Sequence, residues 1–149
     1  MLKSYGAFVY LHGDDDLIIG TRSGPGAGVM IDWDIPVSRL SLREVSNKKL
    51  GEVIRGALMR GRNIPLPNYK DGEAKHMELR GVKTRKALYR NTKCPTVAFV
   101  QGEIIIGADR QYGVGCYEPI PGTDVRLPES ASDEEIGQAV RNALNQSVG

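Results

Sequence analysis

Four β-rich runs, arranged as two close pairs in the two halves of the chain, predict two β-hairpins. The runs are Ala7–Leu11, Leu17–Thr21, Thr96–Val100 and Glu103–Ile106. The first pair is joined by a polar turn over residues 12–16, and the second by Gln101 and Gly102, a link short enough for a tight hairpin. Each hairpin is followed by a Gly-rich connection and then by a short extended segment. These are residues 23–28 and 37–42 in the first half, and residues 112–115 and 124–127 in the second.

After each extended segment the apolar residues change to helical spacing. The apolar positions are Leu50, Val53, Ile54, Ala57 and Leu58 in the first stretch, and Ile136, Ala139, Val140, Ala143 and Leu144 in the second. They predict one helix over residues 47–60, capped by Ser46 or Asn47, and another over residues 133–146. Ser132 is followed three residues later by a glutamate, the spacing of a capping box, in which each side chain bonds a free backbone N–H near the other.

A glycine occupies the same place in both predicted helices, Gly51 in the first and Gly137 in the second. Glycine lowers helix stability by about 1 kcal/mol relative to alanine, so its recurrence calls for a packing reason. We expect each helix to approach the sheet closely at its glycine.

Two windows of the first half resemble two windows of the second at nearly one offset, which favours an internal duplication. Residues 17–29 match residues 104–116 at an offset of 87, and residues 48–60 match residues 134–146 at an offset of 86. The alternative is that a Gly-rich chain produced two similar hairpins by accident.

The triplet Ala-Phe-Val also recurs just before each of the first windows, at residues 7–9 and 98–100. Together these matches predict two ββ-β-α units, residues 5–61 and 96–147. A doubled scaffold with no shared chemistry between its copies is typical of a binding platform.

The segment between the two units, residues 62–95, has no counterpart in either of them. Its prolines and polar residues predict a loop over Asn63–Gly72, and a short basic helix follows over Thr84–Asn91. Residues 1–149 are therefore expected to form a single α+β domain: a mainly antiparallel sheet with helices packed on it and a short inserted helix.

The composition is that of an ordinary soluble protein and names no partner by itself. A net charge of +2 over 149 residues is too mild to predict nucleic-acid binding from bulk charge. No apolar run approaches the roughly 20 residues of a membrane span, and the N-terminus lacks a secretory pattern, so we expect a cytoplasmic protein without a membrane partner. Cys94 and Cys116 form neither a metal knuckle nor a redox pair, and we expect buried thiols.

Residues that commonly carry catalysis form no recognisable group. His12 and His76 are not spaced for a zinc site, and each is expected on the surface. The run Gly24–Gly28 is not followed by the Lys-Ser/Thr helix start of a phosphate-binding loop, and no serine lies in a G-x-S-x-G turn. We therefore expect no catalytic residue, no metal site and no cofactor. A pair of carboxylates that meet only in the folded chain stays possible.

Charge is unevenly distributed along the chain. The basic residues cluster in segment 80–93, at Arg80, Lys83, Arg85, Lys86, Arg90 and Lys93, which is either a solvated face or a phosphate-binding surface. The acidic residues of interest are Asp14, Asp15, Asp16, Asp32 and Asp34. The three successive aspartates lack the spacing of an EF-hand and indicate a solvated turn. Trp33 lies between the last two acids and is either a core residue or a binding hot spot.

Three stretches resemble CdiI-type immunity proteins of contact-dependent growth inhibition systems in proteobacteria. They are GVKTRKALYRNTKC (81–94), EIIIG (103–107) and VRLPESASDEEIGQAVRNAL (125–144). The similarity covers about the last seventy residues well and the first half only loosely. Its most specific part is the capped C-terminal helix, which indicates kinship and not mechanism.

This resemblance implies a small cytoplasmic protein that binds and neutralises the C-terminal toxin domain of a CdiA effector, often a nuclease acting on tRNA or another nucleic acid. Immunity surfaces vary with the toxin, so the resemblance carries over no contact residue. A nuclease has a positive active-site cleft, to which acidic residues are complementary. We therefore expect Asp32, Trp33 and Asp34 at the interface, and less surely Asp14, Asp15 and Asp16. The rival hypotheses are a nucleic-acid-binding module using segment 80–93 and a small enzyme.

Overall fold

The computed structural model describes residues 4–25, 30–66 and 68–149. Within these residues the chain forms ten strands and four helices. The strands are β1 (Ser4–His12), β2 (Asp16–Ser23), β3 (Met30–Ile31), β4 (Ser38–Ser41), β5 (Thr92–Lys93), β6 (Thr96–Val100), β7 (Glu103–Gly107), β8 (Asp109–Gly113), β9 (Cys116–Pro119) and β10 (Val125–Pro128). The helices are α1 (Asn47–Met59), α2 (Tyr69–Arg80), α3 (Arg85–Tyr89) and α4 (Asp133–Gln146).

Eight of these strands form one antiparallel sheet, with the order β10-β7-β6-β1-β2-β3. β4 also pairs with β2, and β5 pairs with β1. β8 and β9 form a separate two-stranded hairpin. This arrangement confirms the predicted α+β fold with a mainly antiparallel sheet. No helix of the described residues is long and apolar enough to cross a membrane.

The pairing of β2 with β4 and the pairing of β7 with β10 have the same register in the two halves of the chain. Ile19 lies opposite Ser38 in the first half, and Ile106 lies opposite Val125 in the second, so both members of the pair are displaced by 87. This equivalence supports the duplication, which stays a prediction about the origin of the sequence.

The recurring Ala-Phe-Val triplet does not belong to this equivalence. Ile19 also pairs with Val9, and Ile106 pairs with Val97, so the register places Val97 and not Val100 at the position of Val9. Phe8 accordingly packs on one face of the sheet and Phe99 on the other. The recurrence of the triplet is therefore a coincidence.

The first face of the sheet is covered by α1 and α4, which pack against each other as well as against the strands. Both helices have the predicted stripes. Their inward residues Leu50, Ile54, Leu58, Ile136, Val140 and Leu144 are at most 1% exposed. Ser46 caps α1, and the predicted capping box of Ser132 and Glu135 opens α4.

The expected close approach of these helices to the sheet is wrong, because each glycine contacts the other helix. A Cβ on Gly51 would lie 1.7 Å from the carbonyl oxygen of Asp133, and a Cβ on Gly137 would lie 1.8 Å from that of Asn47. The two helices therefore cross at their glycines, where the first turn of each helix contacts the backbone of the other. The two contacts are equivalent at the same offset of 86.

The second face of the sheet carries a smaller core of Phe8, Tyr10, Ile18, Leu88, Tyr89 and Cys94. It is covered by elements that sequence reasoning described incompletely. The predicted loop 63–72 ends in the first turn of α2, which Asn68 caps by accepting the N–H of Lys70 at 2.9 Å. The predicted connection 112–115 is the turn of the β8–β9 hairpin. Residues 26–28 of the other Gly-rich connection lie outside the described residues.

Candidate binding cleft

A cleft of about 610 Å³ opens on the second face of the sheet, between the β3–β4 segment and α2. The β3–β4 segment and α2 form two of its walls, and α3 and the β8–β9 turn close its far side. Its lining residues include Tyr10, Arg22, Asp32, Trp33, Asp34, Tyr69, Asp71, Glu73, Lys75, His76, Arg85, Tyr89 and Gly115.

Trp33 forms one wall of the cleft and is partly buried. Its ring lies 5.3 Å from that of Phe8 and 5.2 Å from that of His76, measured between centroids. Helix α2 rests on the indole at Gly72, where a Cβ would come within 2.5 Å of Trp33 Cδ1. The side chain therefore packs against the smaller core and also faces the cleft, and its role as a binding hot spot stays a prediction.

Two buried histidines, named here the histidine pair, connect α2 to the sheet beneath the cleft. The Nε2 atoms of His12 and His76 are 2.9 Å apart, and His12 Nδ1 is 2.9 Å from Thr92 Oγ1. The Thr92 hydroxyl donates to a main-chain carbonyl, at 3.0 Å from Arg90 O or 3.1 Å from Leu88 O. His12 Nδ1–H must then donate to Thr92, which makes His12 Nε2 the acceptor of a proton held by His76 Nε2.

Both histidines are neutral near pH 7. Burial, helped by the nearby Arg80 guanidinium, lowers the pKa of His12 from 6.5 to about 4. Burial, helped by His12 and Arg80, lowers the pKa of His76 to about 3. With 3% and 1% of their surfaces exposed, the expectation of two surface histidines is wrong. The side chains are separated by 64 residues, so no local pattern reveals that each provides the other's hydrogen-bond partner.

Helix α2 is also held by ion pairs at both of its ends. At its C-terminal end Arg80 pairs with Asp16, which also accepts two hydrogen bonds of 2.9 Å from Arg39. Near its N-terminal end Glu73 accepts a 2.6 Å hydrogen bond from Arg85 and one of 2.9 Å from the Tyr89 hydroxyl. These contacts fix the wall of the cleft opposite Trp33.

Comparison with known proteins identifies the family of the chain. The family model CdiI, described as CDI immunity protein, matches residues 13–147. The chain belongs to this family. No curated protein matches it.

Two solved structures share the whole fold of the immunity protein. One is a protein of unknown function, NMB0488 from Neisseria meningitidis, which is 28% identical and has a TM-score of 0.83 over 97% of this chain and 96% of its own. The other belongs to a CdiA-CT/CdiI toxin and immunity complex from Yersinia pseudotuberculosis, with 24% identity and a TM-score of 0.80 over 99% of both chains. At that identity the second likeness shows the fold alone.

The predicted site residues of the immunity protein fall in two places. Asp32, Trp33 and Asp34 line the cleft, whereas the acidic turn Asp14–Asp16 lies at the end of the first hairpin, away from it. Sequence reasoning missed the cleft residues of α2, because no helix was predicted there, and it also missed Tyr10 and Arg22 of the first hairpin.

The two cleft aspartates have different surroundings. Asp32 is 2% exposed and accepts hydrogen bonds of 2.9 Å and 2.8 Å from one Arg62 guanidinium. Burial opposes its ionisation, but the bonds from Arg62 and Ser23 outweigh it and hold the Asp32 pKa below its usual range. Asp34, in contrast, has a side chain that is 74% exposed and lies 3.4 Å from Lys75 Nζ.

The acidic turn is largely engaged within the protein. Asp15 accepts the main-chain N–H of Arg43 at 2.9 Å and the Ser41 hydroxyl at 2.8 Å, which lower its pKa. Asp14 has an 85% exposed side chain, 3.0 Å from an Arg43 nitrogen. Asp14 is thus the member of the turn that is most accessible to a partner.

The basic segment 80–93 is only partly available for phosphates. Arg80 and Arg85 are paired with acids, and Lys93 Nζ donates to the Leu144 carbonyl at 3.0 Å. The remaining cations, Lys83, Lys86 and Arg90, are exposed. Cys94 is buried as expected, but Cys116 is exposed on β9, because that strand belongs to the outer hairpin.

Proposed function

We propose that this immunity protein binds and neutralises the C-terminal toxin domain of a cognate CdiA effector, and that the cleft is its docking surface. Membership of the CDI immunity family supports the role. The single observation that supports this docking surface is the cleft itself, a concavity of about 610 Å³ walled by a tryptophan and rimmed by exposed apolar side chains.

The rim of the cleft resembles the central part of a protein interface. Tyr69 on α2 is 59% exposed, and Leu66, just before that helix, is also 59% exposed. Across the cleft, Val114 of the β8–β9 hairpin precedes the lining residue Gly115 and is 45% exposed. Tyrosine and tryptophan are enriched among the residues that dominate binding energy, and exposed apolar side chains grouped around a cleft are typical of an interaction surface.

The acids of the rim favour a toxin with a positive surface. Asp34 and Asp71 are both exposed at the cleft, so they can face cationic side chains of a partner. We propose a nuclease toxin, such as a tRNase, because its substrate-binding surface must be positive to hold phosphates. Asp32 then contributes indirectly, since its contact with Arg62 holds the segment that carries Trp33 and Asp34. A contact of the toxin with the acidic turn stays a prediction.

This proposal assigns the protein a binding role in the cytoplasm and no catalysis. It is tested by co-expressing the chain with the toxin domain encoded beside it, together with co-elution of the purified pair. Protected cells and a stable complex are the expected results. Cell death despite expression, or failure to co-elute, would contradict the proposed immunity to that toxin.

Placement of the interface is tested with two variants and two matched controls. Tyr69→Ala and Asp34→Lys change exposed cleft residues and should each weaken binding by about 10-fold or more. Met59→Ala and Glu44→Lys make comparable changes at exposed positions away from the cleft and should leave affinity within about twofold. If the wild-type complex forms and all four variants bind equally, the immunity role stands and the docking surface is wrong.

A further inference from the structure

Arg22 is a partly buried cation at the junction of two hollows on the second face of the sheet. Among the described residues, no Asp or Glu oxygen lies within 4.0 Å of its guanidinium. The neighbouring cleft arginine, Arg85, has such a partner at 2.6 Å in Glu73. Arg22 is therefore a partly buried guanidinium that forms no ion pair with a described carboxylate.

Space for a ligand group above Arg22 follows from the sheet register. Arg22 on β2 lies opposite Gly6 on β1, and Gly6 lies opposite Ala98 on β6. Of the two positions beside the arginine, Gly6 therefore has no side chain and Ala98 has only a methyl group. A second hollow of about 480 Å³ lies over this row and shares Tyr10, Arg22 and Gly115 with the cleft. The two hollows therefore adjoin at Arg22, and together they are called the groove.

The groups around Arg22 do not neutralise its charge. The Cys94 thiol and the Tyr10 phenol both interact with it, but burial raises the pKa of Cys94 to about 11 and that of Tyr10 well above its usual value. Both are thus uncharged near pH 7. Asp109 lines the same hollow and interacts electrostatically with Arg22, but its carboxylate accepts a 2.8 Å hydrogen bond from the Thr96 hydroxyl and lies beyond ion-pair distance of the guanidinium.

We infer that Arg22 binds a carboxylate side chain of the toxin, carried by a loop that enters the groove through the cleft. This inference rests on the proposed function. A guanidinium matches a carboxylate with two parallel hydrogen bonds, and partial burial strengthens the pair. The open row at Gly6 and Ala98 lets the loop come close to the sheet. The exposed Asp34 and Asp71 at the entrance favour basic residues beside the acidic one.

The test is isothermal titration of the immunity protein with its purified cognate CdiA C-terminal domain. Arg22→Gln removes the charge at similar length and should weaken binding by about 10- to 100-fold, whereas Arg22→Lys should recover part of the loss. Arg126→Gln removes the same charge from an exposed residue of the edge strand β10 and should change affinity by less than about twofold. Ala98→Val fills the groove without a change in charge and should also weaken binding.

The acidic partner is identified by combining Arg22→Gln with Asp→Asn and Glu→Gln variants of the toxin. One toxin acid should couple to Arg22 at least fivefold in a double-mutant cycle, and the melting temperature of Arg22→Gln should equal that of the wild type. If wild-type binding is intact but no acid couples, or if Arg22→Gln lowers the melting temperature, the inference is wrong and the proposed function stands. If the wild type does not bind the toxin at all, the proposed function itself fails.

Discussion

The crossing of α1 and α4 gives a sharp prediction about stability. Replacing Gly137 by alanine adds one methyl group to the buried side of α4. That carbon would lie 1.8 Å from the Asn47 carbonyl oxygen, about 1.5 Å short of ordinary van der Waals contact. Because the clashing atom belongs to the backbone of α1, no side-chain rotation can relieve the contact, and the helices must separate.

The free-energy cost of separating the helices can be estimated to an order of magnitude. Overpacking of a well-packed core costs about 1–3 kcal/mol, and here the retreat of a whole helix also loosens Leu50 and Ile136, both 0% exposed. The gain in helix propensity from Gly to Ala is only about 1 kcal/mol. Because the loosening of these core residues offsets the gain in propensity, we expect Gly137→Ala to lower the free energy of unfolding by roughly 1–3 kcal/mol.

Gly56 provides a matched control for the same chemical change. It lies in α1, and a Cβ there would meet no atom within 4 Å. Gly56→Ala should therefore gain helix propensity without a clash and raise the free energy of unfolding by up to about 1 kcal/mol. Gly51→Ala should resemble Gly137→Ala, since its Cβ would lie 1.7 Å from the Asp133 carbonyl oxygen.

Urea denaturation followed by circular dichroism measures all three variants. The double variant Gly51→Ala with Gly137→Ala should lose less than the sum of the single losses, because one separation of the helices relieves both contacts. The reasoning is refuted if Gly137→Ala is as stable as the wild type, or if Gly56→Ala loses as much as Gly137→Ala.

Three further predictions concern the second face of the sheet. Because the histidine pair has its pKa values lowered from 6.5 to about 4 and about 3, the unfolded chain takes up protons first. Below pH 6.5 the free energy of unfolding should fall by about 1.4 kcal/mol per pH unit per histidine, and urea titrations showing equal stability at pH 7 and 4.5 would contradict this. Gly72→Ala should displace Trp33 and change its fluorescence, which reports on this site alone because the chain has one tryptophan; an unchanged spectrum would count against the contact. A thiol reagent should label the exposed Cys116 quickly and the buried Cys94 only on unfolding, as mass spectrometry of the labelled peptides would show.

Much of the first face could be predicted because its signals are local. Alternating apolar residues, helical stripes and a capping box each lie within a few residues of sequence, and they placed the hairpins and both long helices. The recurring glycines also indicated a close contact. Their partner was misjudged because the sequence does not show which surface lies opposite a helix. The carbonyl oxygens of Asn47 and Asp133 contact the two glycines. These two residues are 86 positions apart, the same offset that relates Gly51 to Gly137, and this shared offset was the signal in the sequence.

The second face could not be predicted from local patterns. Helix α2 has His76 as its buried residue, so it shows no apolar stripe. Its position depends on contacts with distant residues: the histidine pair, the Arg80–Asp16 ion pair and the contact of Gly72 with Trp33. None of these combinations has a spacing that distinguishes it from the many polar residues around it. The same holds for the open row at Gly6 and Ala98, which appears only once the register of three strands is known.

The division between the two faces bears on how such a protein can change its partner. The core beneath α1 and α4 is built from the parts that the two halves share, and its tight contacts, at Gly51 and Gly137, do not involve the cleft. The cleft walls come mainly from the unmatched segment 62–95 and from residues 30–34, which lie outside the two matched windows. Substitutions at exposed cleft residues such as Tyr69 therefore remove little packing from the main core. With the cleft as the proposed docking surface, affinity for a toxin can change at these positions while the fold is retained, which is the property an immunity protein needs when its toxin varies.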